Sequence, residues 1–419
     1  MSRVNRIAVF VEHFPPYLGS DRSVYELAIR AARRGIDIHF IATQPLRYLL
    51  GERPSDWPYV KNWVTPPDIK EPNVTFEYLL LNRYLLAMWR RLPPIALMLT
   101  ILLFTFYGIR AMLNFRPDVV VSAHASPIVG GVALLSSKFT FCPLVMSCPD
   151  WMSAYAAGLI DKKVGSWGPA LLQLVEILLY RLSKRIFTAT WFLKNLLVGY
   201  GINPHKIDVI QNGVDPDFFR PDVDTSSIVD KYRLANRIVI LFTGHLEDWA
   251  GVSIIYNLAE KLDKAHNNSV ILLVGAGEPS GDLFKKLIAS NLGYIVVHAG
   301  LHPFKEMPAF TAAADIALCI FPNTPVSHAA SPLKLFEYMA SGNAIVATKV
   351  AGTIEVMKEE LGVLVPPDDI EAICNAVLTL CNDEPKRKKI GASARADVVM
   401  KYSWNRLSER FIDVCRTAL

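Results

Sequence analysis

The stretch Ser331-Pro-Leu-Lys-Leu-Phe-Glu337-Tyr-Met-Ala-Ser-Gly342 combines a helix start, an early lysine and a carboxylate set back along the helix side. Ser331 is a good N-cap, Pro332 suits the first helical position because its missing N–H costs nothing there, and Gly342 suits the C′ position. The open N–H groups and positive dipole end of such a helix bind anions, and Lys334 adds a full charge in the first turn, where a phosphate would lie. Glu337 follows Pro332 by five residues, so it stands about 7 to 8 Å further along the axis. That separation suits a diphosphate and the hydroxyls of its ribose. The same residues also fit a buried crossover helix in which Lys334 and Glu337 form an ordinary i, i+3 surface pair.

With 419 residues, 52% of them hydrophobic, the chain can bury large cores, and its length suits two or three domains. A formal charge of +5 is only mildly basic for this size. It favours an anionic substrate or a membrane surface over nucleic acid, and no Lys/Arg tract with interleaved aromatics occurs. The six cysteines, at 142, 148, 319, 374, 381 and 415, form no C-x-x-C pair, and no histidine spacing completes a metal set. They read as reduced thiols, several of them core residues, of a cytoplasmic protein. Strand-like sequence already begins at Ile7, so no signal peptide is expected.

The elements that must position these residues read as α/β. Arg6–Val11 is a continuous apolar run of the kind found in a buried parallel strand, an amphipathic helix runs to Arg34, and Asp37–Thr43 supplies a second strand. Gly19 lies in the loop after the first strand, where ligands bind in open α/β sheets, although a plain turn glycine would look the same. Further strands are expected at Val74–Leu80, Asp118–Ser122, Pro143–Met146 and Arg185–Ala189. His124 and Asp150 both fall at strand carboxyl ends, where each could orient a substrate hydroxyl or cap a loop. A second α/β series starts afresh with strands at Ile238–Thr243, Val270–Val274, Ile295–His298, Asp315–Ile320, Ala344–Thr348 and Val363–Val365. Loops at Gly244-His245 and Gly275-Ala-Gly277 face the ligand edge of that series, but they do not complete a G-x-G-x-x-G pattern. The expected organisation is residues 1–215 as one Rossmann-like domain, 216–236 as a linker and 237–401 as a second Rossmann-like domain. Residues 402–419 then form a helix packing back on the first.

Two segments resist this pattern. Residues 44–73 are rich in Pro, Trp and Tyr and suggest a long loop that covers a site or contacts an acceptor. From Tyr78 to Pro117 the only charges are Arg83, Arg90, Arg91, Arg110 and Arg116, and none falls between Leu92 and Ile109. Such a run fits a core helix on the sheet, a monotopic helix at an anionic membrane surface across 83–116, or a membrane span. The span is disfavoured by Pro93-Pro94 at its start.

Together the motifs resemble the family 4 (group 1) glycosyltransferases of the GT-B fold, in the subgroup with a Ser-Pro-x-Lys-Leu-Phe-Glu-Tyr form. The resemblance rests on Phe14-Pro-Pro-Tyr-Leu-Gly19, Pro117-Asp118-Val-Val with His124, and Val209-Ile-Gln-Asn-Gly-Val-Asp215. It continues through Gly275-Ala-Gly277-Glu278, Pro308-Ala-Phe-Thr-Ala-Ala-Ala-Asp315 and Ser331 to Gly342. It implies two doubly wound domains facing across a cleft. It also implies a retaining, hexosyltransferase-type enzyme that moves a sugar from a nucleotide sugar to a sugar or lipid-linked hydroxyl acceptor, in polysaccharide or glycolipid assembly. Glu337 would bind the donor's ribose, and Ser331, Pro332, Leu333 and Lys334 would lie on its diphosphate. Gly19, Gly244, His245, Gly275 and Gly277 would line the donor. Asp150 and His124 are the catalytic candidates. No metal or other cofactor is implied, since backbone amides and a helix N-terminus can stabilise a leaving diphosphate.

The chain departs from the family pattern at several positions. His245 and Ala250 stand where an Arg and a Lys commonly meet the diphosphate, Ala329 where many members have a second Glu, and Pro149 where a His is common. Each missing charge-assisted contact should weaken diphosphate binding by about 1.5 to 3 kcal/mol unless replaced. These losses keep open a non-catalytic GT-B partner of another transferase, and, further off, a sugar-nucleotide epimerase.

Overall fold

The computed structural model describes residues 3–12, 19–43, 70–81, 83–154, 167–244, 246, 254–265, 268–275, 286–287 and 289–419. They fall into two compact units. Unit 1 holds residues 1–211, 329–331 and 404–419, and unit 2 holds 212–328 and 332–403.

In unit 1, seven strands form one sheet: β1 Arg6–Val11, β2 Asp37–Thr43, β3 Val74–Leu79, β4 Val119–Ser122, β5 Leu144–Cys148, β6 Arg185–Thr188 and β7 Ile207–Val209. Their order is β3-β2-β1-β4-β5-β6-β7, and every pairing is parallel. β4 and β5 are buried throughout, as strands covered on both faces must be, and this explains their unbroken apolar sequence. In unit 2 the strands β8 Ile238–Thr243, β9 Ser269–Val274, β10 Val296–Gly300, β11 Ile316–Cys319, β12 Ala344–Thr348 and β13 Val363–Val365 line up as β10-β9-β8-β11-β12-β13. The strands predicted from sequence are present, with ends within two residues.

Both sheets therefore share one winding, with the strand order reversing beside the first strand of each. Both also fasten that point alike. The Asp118 carboxylate, just before β4, accepts the backbone N–H groups of Asn5 and Arg6 at 2.7 and 2.9 Å. The Asp315 carboxylate, just before β11, accepts the N–H of Val239 at 2.9 Å. In each case the aspartate's own N–H returns to a carbonyl of the first strand, Arg6 or Val239.

One layer on the unit 1 sheet contains α1 (Gly19–Ala32) packed against the C-terminal helix α15 (Trp404–Ala418). Between these two in chain order come α2 (Arg83–Arg91), α3 (Pro93–Phe115), α4 (Val129–Thr140), α5 (Trp167–Leu182) and α6 (Trp191–Gly199) in unit 1. Unit 2 supplies α7 (Ser226–Tyr232), α8 (Ile254–Lys264), α9 (Met307–Ala312), α10 (Pro325–Ala329), α11 (Leu333–Ala340), α12 (Ala351–Ile354), α13 (Ile370–Asn382) and α14 (Glu384–Lys401). The stretch 216–236, read from sequence as a linker, contains α7 and belongs to unit 2. The loop expected over 44–73 lies outside the described residues except for 70–73.

The apolar segment is α3, and it is a core helix on one side only. Ala96, Thr100, Phe104, Gly108, Ala111 and Met112 are buried, and the Trp89 indole N–H of α2 donates to Thr100 Oγ1 at 3.0 Å. Among the described residues it is one helix long and apolar enough to cross a membrane by length and composition.

Candidate functional site

In an open parallel sheet, connections leave neighbouring strands toward opposite faces where the strand order reverses, and this opens a crevice at the carboxyl ends. In unit 1 that crevice lies between β1 and β4, and polar groups fill it. Glu12 follows β1 and His124 follows β4, and the His124 Nε2 stands 3.3 Å from Glu12 Oε2. Asp21, fully buried in the first turn of α1, has Oδ1 3.8 Å from the same nitrogen and accepts the N–H of Glu12 at 3.3 Å. The imidazole is only 1% exposed, and among the described residues its Nδ1 has no hydrogen-bond partner.

Burial alone would lower the His124 pKa, but the Glu12 hydrogen bond and the charges of Asp21, Glu12 and Glu176 outweigh it and raise the value above the ordinary 6.5. Asp150, after β5, is half-buried, and desolvation lifts its carboxyl to about 7. The nearby His124 opposes that shift and Glu176 reinforces it. Glu176 comes from α5 and is also raised, chiefly by burial, although it accepts the N–H groups of Met152 and Ser153 at 3.3 and 3.0 Å. The cluster thus holds an imidazole whose charged form is favoured and a carboxyl raised to about 7, a pair suited to handling a hydroxyl proton.

In unit 2 the corresponding crevice lies between β8 and β11. The Lys334 ammonium enters it, 4.3 Å from the ring centre of Phe242 in β8 and 5.0 Å from that of Phe321 after β11. It donates to the Thr243 carbonyl at 3.1 Å. Burial pushes this lysine below its usual pKa, against the pull of Cys319 and Glu337. Gly244, after β8, sits directly beside it, and Gly275, after β9, packs on Gly244. A Cβ on Gly275 would come within 1.7 Å of the Gly244 carbonyl oxygen, and one on Gly244 would lie 3.9 Å from the ammonium. Only glycines permit so close an approach of the two loops, and they leave bare backbone facing the charge. Glu337, one turn along α11, is 7% exposed, and the next residue, Tyr338, anchors the helix: its hydroxyl oxygen accepts the Thr243 backbone N–H at 2.9 Å and shares a hydrogen bond with Thr243 Oγ1 at 2.8 Å.

The helix differs by one residue from its sequence reading. Pro332, at φ −70° and ψ 121°, is itself the N-cap, and its ring offers no side-chain cap. Its extended ψ turns the chain so that the first helical residue is Leu333, and Ser331 lies one place outside the cap. Gly342 is at the C′ position with φ +74°. The N–H groups of Gly342 and Asn343 return to the carbonyls of Met339 and Tyr338, a Schellman ending. Lys334 and Glu337 are not a surface pair, since neither is exposed.

The structure thus gathers Lys334, Gly244 and Gly275 at one point, with Glu337 behind them on the same helix, and His124 near Asp150 at another. Gly19 begins α1. His245, Ala250 and Gly277 lie outside the described residues. Pro149 and Ala329 are buried. Sequence reasoning missed Glu12, Asp21 and Glu176. Glu12 carried a usable signal, as an acid directly after the first strand. Glu176 was visible only as the single acid in the apolar run Leu171–Leu182.

Two family models match the chain: "Glycosyltransferase Family 4" over residues 18–218 and "Glycosyl transferases group 1" over residues 237–383. A D-inositol 3-phosphate glycosyltransferase of Acidothermus cellulolyticus is 26% identical over 94% of this chain and 85% of its own length. An uncharacterized glycosyltransferase of Methanocaldococcus jannaschii is 23% identical over 66% of this chain and 75% of its own. Other curated relatives match over little more than half of their length. Among solved structures, Anabaena HepE in complex with UDP and glucose has a TM-score of 0.70 at 16% identity, covering 98% of this chain and 99% of that one. At that identity the likeness shows the fold, which is GT-B.

Proposed function

Because the chain belongs to the group 1, family 4 glycosyltransferases, we propose that it moves a sugar from a nucleotide-sugar donor to a hydroxyl acceptor, with retention of anomeric configuration. The observation that carries this reading is the Lys334 ammonium held against the bare backbone of Gly244 at the mouth of the unit 2 crevice. A diphosphate placed there meets a full positive charge and the open N–H groups at the start of α11. In this reading Glu337, further along that helix, takes the ribose hydroxyls. The leaving diphosphate is then stabilised by groups already in position, and the transfer needs no metal.

The acceptor belongs to unit 1 in this reading. Asp150, with its pKa near 7, and His124, with its raised pKa, are suited to positioning the attacking hydroxyl and receiving its proton. The acceptor class we propose is a sugar or lipid-linked sugar, in assembly of a polysaccharide or glycolipid.

A second reading, a non-catalytic GT-B partner of another transferase, is favoured by the neutral Ala329 and Pro149. The two readings separate in one series of measurements. Calorimetric titration with UDP, GDP and ADP should find one diphosphate that binds, and Glu337→Ala should weaken it. Release of sugar from the matching donor supports the transferase. Binding without turnover on any acceptor supports the partner, and no binding of any of the three removes the donor site.

A further inference from the structure

The outer surface of the α3–α4–α5 layer is apolar where a soluble face would be polar. On α3, Ile95, Met98, Leu102, Phe106 and Leu113 are 46 to 65% exposed. At 100° per residue these five fall on one stripe, opposite the buried Phe104 and Ala111. The stripe runs for about 27 Å. α3 packs on α4 and α4 on α5, and all three contribute to one core cluster, so they lie side by side on the same face of the sheet. α5 repeats the pattern with Leu171, Leu174, Leu178 and Leu182, each 44 to 66% exposed. Between them the end of α4 holds Phe139, 66% exposed, and Phe141, 94% exposed at φ +54°. A phenylalanine held in the left-handed region with its ring wholly in water gains nothing from its own fold. Single exposed apolar residues are ordinary, but rows of them on adjoining helices mark a contact surface.

Among the described residues of α2 to α5, the exposed charged side chains are all cations. The segment from Tyr78 to Pro117 has no acid, and Arg91, Arg110 and Arg116 are exposed on it. Where α4 and α5 end, Lys138 and Lys184 lie near enough to Lys206 to add to the burial that depresses its pKa, so three cations gather close in sequence and space to Phe141 and Leu182.

We propose that the α3–α4–α5 face is a monotopic docking surface for a lipid bilayer rich in anionic headgroups, with the apolar rows entering the interface and the cations meeting the phosphates. The apolar area explains the depth of contact and the one-signed rim selects the lipid. A span by α3 is the poorer account, because its opposite face is built into the sheet core and its Thr100 is bonded to Trp89. This inference stands apart from the donor site in unit 2.

The test is flotation of the full chain with vesicles of phosphatidylcholine alone and of phosphatidylcholine mixed with phosphatidylglycerol, at low and high salt. Binding is expected to the mixed vesicles and to fall with salt. Leu102→Ser with Phe106→Ser, both at exposed positions, should reduce it at least about tenfold, and Arg110→Glu by about fivefold. Circular dichroism and nucleotide titration of the same variants should be unchanged, which separates lost docking from lost folding. Equal binding to both vesicle types, no binding to either, or binding unaffected by the serine variant would overturn the proposal. So would a self-associated species that the serine variant disperses without any vesicle binding, since the face would then be a contact between copies.

Discussion

His124 and Glu12 meet 3.3 Å apart at the carboxyl ends of β4 and β1, two strands that are neighbours in space though 112 residues separate the pair in sequence. Their contact makes the crevice of unit 1 a polar site instead of an apolar seam. It also gives the site a pH signature.

The folded-state pKa of His124 is raised above 6.5, so its pairing contributes stability that is fully present below that value and is lost as pH rises through the folded pKa. Glu12→Gln removes the main opposing partner and leaves a buried imidazole that resists its proton. Urea denaturation of the two proteins across a pH series should show the variant less stable by about 1 to 3 kcal/mol on the acidic side, with the gap closing toward alkaline pH. A gap that is constant with pH would show that the pair is not ionised.

Asp150 shifts the balance with the same sign. Its carboxyl is raised to about 7, so the folded protein holds a proton that the unfolded chain gives up, and stability declines as pH rises from about 4 to 7. Asp150→Asn should flatten that decline and gain on the order of 1 kcal/mol above neutrality, in the same denaturation series. If Asp150 positions the acceptor, the stabilised variant will also lose transfer activity while keeping nucleotide affinity.

Lys334→Met keeps a stem of similar shape over Phe242 and Phe321 and removes the charge. Calorimetry should show nucleoside-diphosphate binding weakened by about 1.5 to 3 kcal/mol, with little change in affinity for the bare nucleoside. The thermal midpoint should hold or rise, because burying this ammonium is costly. Equal losses for nucleoside and diphosphate would place the lysine away from the phosphates.

The two aspartates that fasten the first strands make a matched pair of stability tests. Asp118→Ala strands two backbone N–H groups and Asp315→Ala one, each at the other end of the sheet from the sites, and each should cost about 1 to 3 kcal/mol in chemical denaturation. Nucleotide affinity should be unaffected by Asp118→Ala, since its contacts are confined to unit 1.

Much of this protein follows from its sequence by itself. Strands covered on both faces must be unbroken apolar runs, so β1, β4, β8 and β12 can be read directly. Gly342 ends its helix because a left-handed residue is needed there, and it was legible for that reason. The helix after Pro332 and the lysine in its first turn were also legible, being local.

What only the tertiary structure decided is convergence. The strand order places β1 beside β4 and β8 beside β11, and this carries Glu12 to His124 and Lys334 to Thr243, partners 91 residues apart in the second case. No periodicity encodes such a meeting, because it depends on which strands pair. The same holds for α3, whose composition fits a core helix and a membrane helix equally well. Only packing shows that Phe104 faces the sheet and Phe106 faces outward, because burial is a property of the neighbours a side chain acquires and not of the side chain.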